Sequence, residues 1–147
     1  MLSNEQGQLY HQALLKHHKK PVGFAVNLLA DGQAAGENAA CGDEITIEFT
    51  IKNGHINELA FHGDSCAICR ATASLLCMHM KNLNLLTVRS INQGMINFIA
   101  ENKTMFAPWS EVFSALSVVQ QFPVRKQCAI LPWTTFKRAL DCLEECI

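Results

Sequence analysis

The chain has 147 residues, one domain's worth, and 49% of them are hydrophobic against 17% charged, which excludes wholesale disorder. Twelve Lys and Arg against thirteen Asp and Glu leave a net charge of −1, without the basic excess of a nucleic-acid binder. The first residues hold no charged segment followed by an apolar run, and no uncharged apolar stretch approaches the ~18 residues of a membrane span. The expectation is a single domain over residues 1–147, cytoplasmic, bound to neither nucleic acid nor membrane.

In chain order, residues 3–19 read as a helix, with Ser3 and Gln6 as a capping box and Pro21 as the stop. His17-His18-Lys19-Lys20 places cations at its negative end, a pattern that a solvated basic helix end explains. A Gly- and Ala-rich stretch over 21–40 has room for one short edge strand near 33–37. Then the period becomes two: Ile45, Ile47, Phe49 and Ile51 alternate with Thr46, Glu48 and Thr50. Asn53-Gly54 predicts a two-residue hairpin, with Ile56 to Phe61 as the returning strand.

Helical spacing follows. Ser65 caps a predicted helix over 66–82, and Thr87 caps another carrying Val88, Ile91, Met95 and Ile99. Pro108 suits the first turn of a third, with Val112, Phe113, Leu116 and Val119 inward, ended by Phe122-Pro123. The last helix aligns Trp133, Phe136, Leu140 and Leu143, and Pro132 interrupts its pattern, confining Cys128 to the first turn or the loop before it. Strands first and helices afterwards imply an α+β fold: a small, mostly antiparallel three-stranded sheet with helices on one face.

Seven cysteines in 147 residues fall below the roughly 8–10% of a disulfide scaffold, and the number is odd. Free thiols in a reducing compartment point to metal or sulfur chemistry. Cys41, Cys66 and Cys128 stand at element ends. Cys66 opens a helix, whose dipole favours thiolate, and Cys128 follows Arg125-Lys126-Gln127. In Cys41-Gly42-Asp43 the glycine can turn so that thiolate and carboxylate aim at one centre. Cys66 and Cys128 would complete a tetrahedral Cys₃Asp zinc set.

Ala40-Cys41-Gly42-Asp43, Gly63-Asp64-Ser65-Cys66-Ala67-Ile68 and Phe122-Pro123-Val124-Arg125-Lys126-Gln127-Cys128-Ala129-Ile130-Leu131 occur in that order. Together they resemble the three signature segments of the NifU N-terminal/IscU family of iron–sulfur cluster assembly proteins, from Tyr10 to about Leu140. Within it the chain is similar to the SufU branch. The extra helical segment over 83–110 is present, the chaperone-docking sequence of IscU is absent, and Gln127 replaces the IscU histidine. The resemblance implies a zinc-dependent sulfur acceptor and carrier, a sulfurtransferase rather than a stand-alone enzyme. It implies a SufS-like cysteine desulfurase as donor and a downstream iron–sulfur scaffold as acceptor. Cys41, Asp43, Cys66 and Cys128 then correspond to zinc ligands, Cys41 to the persulfide acceptor, and Arg125 to a supporting charge. Three thiolates, a carboxylate and Zn²⁺ sum to −2, a charge that Arg125, Lys126 and Arg70 could offset. The alternative within the family is an IscU-type scaffold that binds iron and assembles a [2Fe–2S] cluster on the same cysteines.

The family pattern is not followed everywhere. Asn38-Ala39-Ala40 lacks the proline that often precedes the first cysteine, and Gln127 stands where SufU sequences usually carry lysine. Cys69 makes a C-x-x-C with Cys66, readable as a redox pair, an alternative ligand, or a small side chain under the sheet. Cys77 reads as core. Cys142 and Cys146 share a helix face, as an accessory thiol pair or as plain surface. His62 and His79 have no partner visible in the sequence.

Overall fold

The computed structural model describes residues 4–105 and 108–145, so the Ser3 cap and Cys146 lie outside the described residues. The first helix, α1, runs Asn4–Lys19 and ends before Pro21 as expected. Three antiparallel strands follow in chain order, β1 (Gly32–Asn38), β2 (Asp43–Lys52) and β3 (His55–His62). Asn53 and Gly54 both take positive φ, 53° and 75°, the requirement of a type I′ turn, and Lys52 pairs with His55 across it. Ile45, Ile47 and Phe49 are buried from the middle strand, while Glu48 on the opposite face lies 3.6 Å from His62.

Beyond the sheet lie α2 (Ala67–Met80), α3 (Leu85–Glu101), the single turn α4 (Trp109–Val112), a 3-10 helix over Ser114–Gln121, and α5 (Pro123–Glu145). α5 lies on β1 and β2, α2 on β3, α1 on α2, and α3 on α5. Gly36 permits the closest approach: any side chain there would run into Thr135 and Arg138 of α5. Arg138 also donates to the Ala35 carbonyl, covering part of the β1 edge. Edge-on ring contacts, Phe49 with Phe136 at 5.8 Å and Phe113 with Trp133 at 5.3 Å, join sheet, α5 and 3-10 helix into one core. The α+β reading therefore holds. No helix among the described residues is long and apolar enough to cross a membrane.

Five local expectations are corrected. Cys66, not Ser65, is the N-cap of α2, without a side-chain cap bond. Asn84, not Thr87, caps α3, its side chain accepting the Thr87 N–H at 2.8 Å. The third predicted helix is one α turn followed by 3-10 geometry. Phe113, Leu116 and Val119 are its buried residues, spaced by three, and a three-residue repeat aligns them on one face only at the 3-10 pitch. The basic end of α1 is not wholly solvated: His17 Nδ1 lies 2.7 Å from the buried Ser74 hydroxyl, and burial lowers its pKa. Finally, α5 runs unbroken through Pro132, so Cys128 occupies its second turn. Pro132 lacks the N–H that would reach the Cys128 carbonyl and crowds that carbonyl with its ring, together a cost of ~3 kcal/mol. Burial of Trp133, Phe136, Ala139 and Leu140 just beyond offsets it.

Cys77 is core, as expected, and burial pushes its thiol from the ordinary 9.0 to about 12. The unfolded chain releases that proton at the ordinary value while the folded chain holds it, so stability falls as pH rises between them. Unfolding in urea should cost about 2 kcal/mol less near pH 10.5 than near pH 8 on this account alone. Cys77→Ala should remove its share of that slope, the buried Cys69 thiol keeping another, and an unchanged slope would contradict the assignment.

Candidate metal centre

β1 and β2 close on the pair Asn38–Asp43, and the four residues between them form a tight loop. Backbone bonds from Cys41 N to Asn38 O (3.2 Å) and from Gly42 N to Ala39 O (3.3 Å) shape it. Gly42 takes φ +70°, with open space where a side chain would project. Its role is therefore conformational: the left-handed turn lets the chain reverse between the Cys41 thiol and the Asp43 carboxylate. Asp43 is buried at the start of β2. One oxygen, Oδ1, accepts the Cys66 N–H at 2.7 Å, and the other, Oδ2, lies 3.8 Å from Cys66 Sγ.

Cys66 reaches that position because β3 leaves the sheet at Gly63, whose φ of +119° and missing side chain let it cross the Glu44 carbonyl. The Glu44 N–H bond to Asp64 O, at 2.9 Å, fixes the crossing. Cys128 arrives from α5, fully buried. Its thiol lies 3.1 Å from Cys41 Sγ and 3.8 Å from both the Asn38 amide and the Val124 carbonyl. The donor atoms of Cys41, Asp43 and Cys128 all lie within 4.8 Å of one another. Cys66 joins them through its contacts with Asp43 and Cys128.

Burial, then hydrogen bonding to Cys41 and Cys66, pushes the Cys128 thiol far above its ordinary range. Cys69, buried one turn into α2, is raised to about 12 by burial and then by the Asp43 charge. Crowded, desolvated thiols keep their protons unless a cation replaces them. The donor set fits one. A tetrahedral site with Zn–S near 2.3 Å has S···S edges of about 3.8 Å. The Cys66–Asp43 separation of 3.8 Å is close to the S···O edge of about 3.5 Å, and the Cys41–Cys128 pair at 3.1 Å would have to open by about 0.7 Å to reach an S···S edge.

The cations expected near the site have other occupations. Lys126 Nζ bonds Asn102 at 2.9 Å, and Arg70 stacks over the Phe24 ring at 4.0 Å. Arg125 is exposed one turn before Cys128 and lines a groove beside α1. The donors that do reach the cluster are the Cys66 N–H and the Asn38 amide. Asn38 was not singled out in the sequence as a site residue, because only the β1–β2 register places it against Cys128. Cys142 is exposed on α5, and His79 packs edge-on against Phe113, 5.4 Å between centroids.

Comparison with known proteins matches residues 9–142 to the NifU-like N terminal domain. The zinc-dependent sulfurtransferase SufU of Bacillus subtilis is 26% identical over 133 residues, covering 90% of this chain and 89% of that one. The iron–sulfur cluster assembly scaffold protein IscU of Thermotoga maritima is 29% identical over 109 residues, 71% and 73% of the two chains. The crystal structure of a nitrogen-fixing NifU-like protein (N-terminal) from Brucella abortus superposes with a TM-score of 0.82 at 16% identity, covering 92% of this chain and 94% of that one. With a matching family model over nearly its whole length, the chain belongs to the NifU-like N-terminal domain family, the family of SufU and IscU.

Proposed function

We propose that, within iron–sulfur cluster assembly, this chain is a SufU-like, zinc-dependent acceptor and carrier of persulfide sulfur. Its donor would be a cysteine desulfurase of the SufS type, and its client a downstream iron–sulfur scaffold. The observation that carries the reading is the convergence of Cys41, Asp43 and Cys128 within 4.8 Å, with Cys66 held on Asp43. Cys41, Asp43, Cys66 and Cys128 would hold the metal. Zinc bound there supplies charge that keeps sulfur as thiolate without redox chemistry.

The residues divide the work by mobility and burial. Cys128 is locked in a helix, and Cys66 is tied at a helix start through its own N–H. Cys41, half-buried as Cys66 is, rides on the β1–β2 loop between the exposed Ala40 and Gly42. It is the sulfur best placed to leave the cluster and meet another protein. Its thiolate attacks the outer sulfur of the donor persulfide; the donor S–S bond breaks, the donor thiolate departs, and Cys41 retains the sulfur as a persulfide. No net oxidation occurs. Arg125, one turn before Cys128, adds positive charge on the approach side.

Metal analysis of the purified chain, followed by chelation and a desulfurase assay, tests this. The expected result is about one zinc per chain, and a metal-free protein that stays folded on its buried core but no longer stimulates sulfur release. Global unfolding on chelation would instead mark a structural metal. The relative named IscU supports a second reading, in which iron and sulfide are the cargo assembled on the same cysteines. Anaerobic reconstitution separates the two: a stable coloured [2Fe–2S] product favours the scaffold.

A further inference from the structure

A groove of about 320 Å³ runs between α1, the first turn of α2 and the 3-10 helix. Leu14, Leu15, Ile68, Val119 and Phe122 form its walls, and its polar lining is His11, His18 and Arg125. No carboxylate is among those lining residues. His18 Nδ1 is buried there without a hydrogen-bond partner. Lys16, Lys19 and Lys20 edge an adjoining depression that shares Leu15. Leu15 and Phe122 leave 39% and 53% of their surface exposed. A chain with a net charge of −1 has thus gathered bases and apolar surface on one face.

We propose that this groove receives an acidic segment, anchored by one bulky apolar side chain, from the protein that delivers sulfur to Cys41; the inference rests on the sulfur-acceptor reading above. Charge complementarity selects the occupant. The apolar walls accommodate a Leu- or Phe-sized side chain, while His11, His18, Arg125, the lysines and the positive end of α2 all favour carboxylates around it. Position supplies the purpose. Ala67 in the groove adjoins Cys66, and Arg125 is one turn from Cys128, so a segment anchored there holds its protein over the thiol cluster. Anchoring beside the cluster turns sulfur transfer into a reaction between positioned groups.

The test titrates a purified cysteine desulfurase with the zinc-loaded chain and with Leu15→Asp, Phe122→Asp and Leu29→Asp. Leu29, 97% exposed and outside the groove, is the control. In the two groove variants the half-saturating concentration should rise about tenfold or more, with maximal stimulation and zinc content unchanged. The control should match the unaltered chain. The double variant Lys16→Glu/Lys19→Glu, on the exposed rim, should weaken half-saturation severalfold and reduce its dependence on salt. Unchanged half-saturation in both groove variants overturns the inference while leaving the sulfur-acceptor reading intact. So does a dimer of the unaltered chain in sedimentation that Leu15→Asp abolishes, because the occupant would then be a second copy. If the unaltered chain gives no stimulation at all, the sulfur-acceptor reading itself fails, and the inference with it.

Discussion

Cys41→Ala is expected to reduce stimulation of the desulfurase by about a hundredfold or more, to the level seen without the chain. Cys128 is fully buried and bonded within the cluster, and the half-buried Cys66 is held at a helix start against Asp43, so neither is placed to meet a donor as Cys41 is on its loop. Cys41 itself is half-buried on a loop and packs only against the rim of the core, so alanine removes little packing there. With metal removed from both proteins, the stability of Cys41→Ala should lie within about 0.5 kcal/mol of the unaltered chain. Mass spectrometry after exposure to desulfurase and cysteine should show a 32-Da-class sulfur adduct on Cys41, roughly one sulfur atom, lost in the variant. Full stimulation by the variant would remove Cys41 from the carrier role.

Asp43→Ala should have the second-largest effect, and it acts on two quantities at once. The carboxylate is buried, and its two oxygens serve different partners, the Cys66 N–H and the sulfur cluster. Alanine leaves the Cys66 N–H without its acceptor, an expected loss of about 1–3 kcal/mol in the metal-free protein. It also deletes the single oxygen donor of the cluster, so zinc should no longer be retained through gel filtration. Asp43→Asn separates the two roles. The amide oxygen can still accept from Cys66, so metal-free stability should stay close to that of the unaltered chain, while zinc is lost with the charge. If Asp43→Asn holds zinc stoichiometrically, the carboxylate is not a ligand. If it unfolds as readily as Asp43→Ala, the Cys66 bond is not what Asp43 contributes to the fold.

Much of the site's individual chemistry was legible before any fold was known. Cys41-Gly42-Asp43 needs only local geometry, and the positive φ of Gly42 is the conformation that tripeptide anticipates. The hairpin was equally local, since Asn53-Gly54 and a period of two both act over neighbouring residues. Signals that compete locally mislead. Ser65 and Thr87 are good caps in isolation, yet Asp43 takes the Cys66 N–H and Asn84 takes the Thr87 N–H. Pro132 is a helix breaker over short range, but α5 continues because the apolar face after it is buried on the sheet and on α3.

The strand pair, the helical spacing, the odd number of thiols and the motifs that carry the family resemblance can all be read along the chain. These depend on residue type and on contacts between near neighbours along the chain. Which atoms meet follows from packing across the fold: Asn38 against Cys128, Asp43 against Cys66, and a basic apolar groove opening beside them. Residues 38, 43, 66 and 128 come from four separate elements. Their meeting depends on strand register, on a glycine crossing at position 63 and on how far α5 slides along the sheet, and packing of the whole core sets all three.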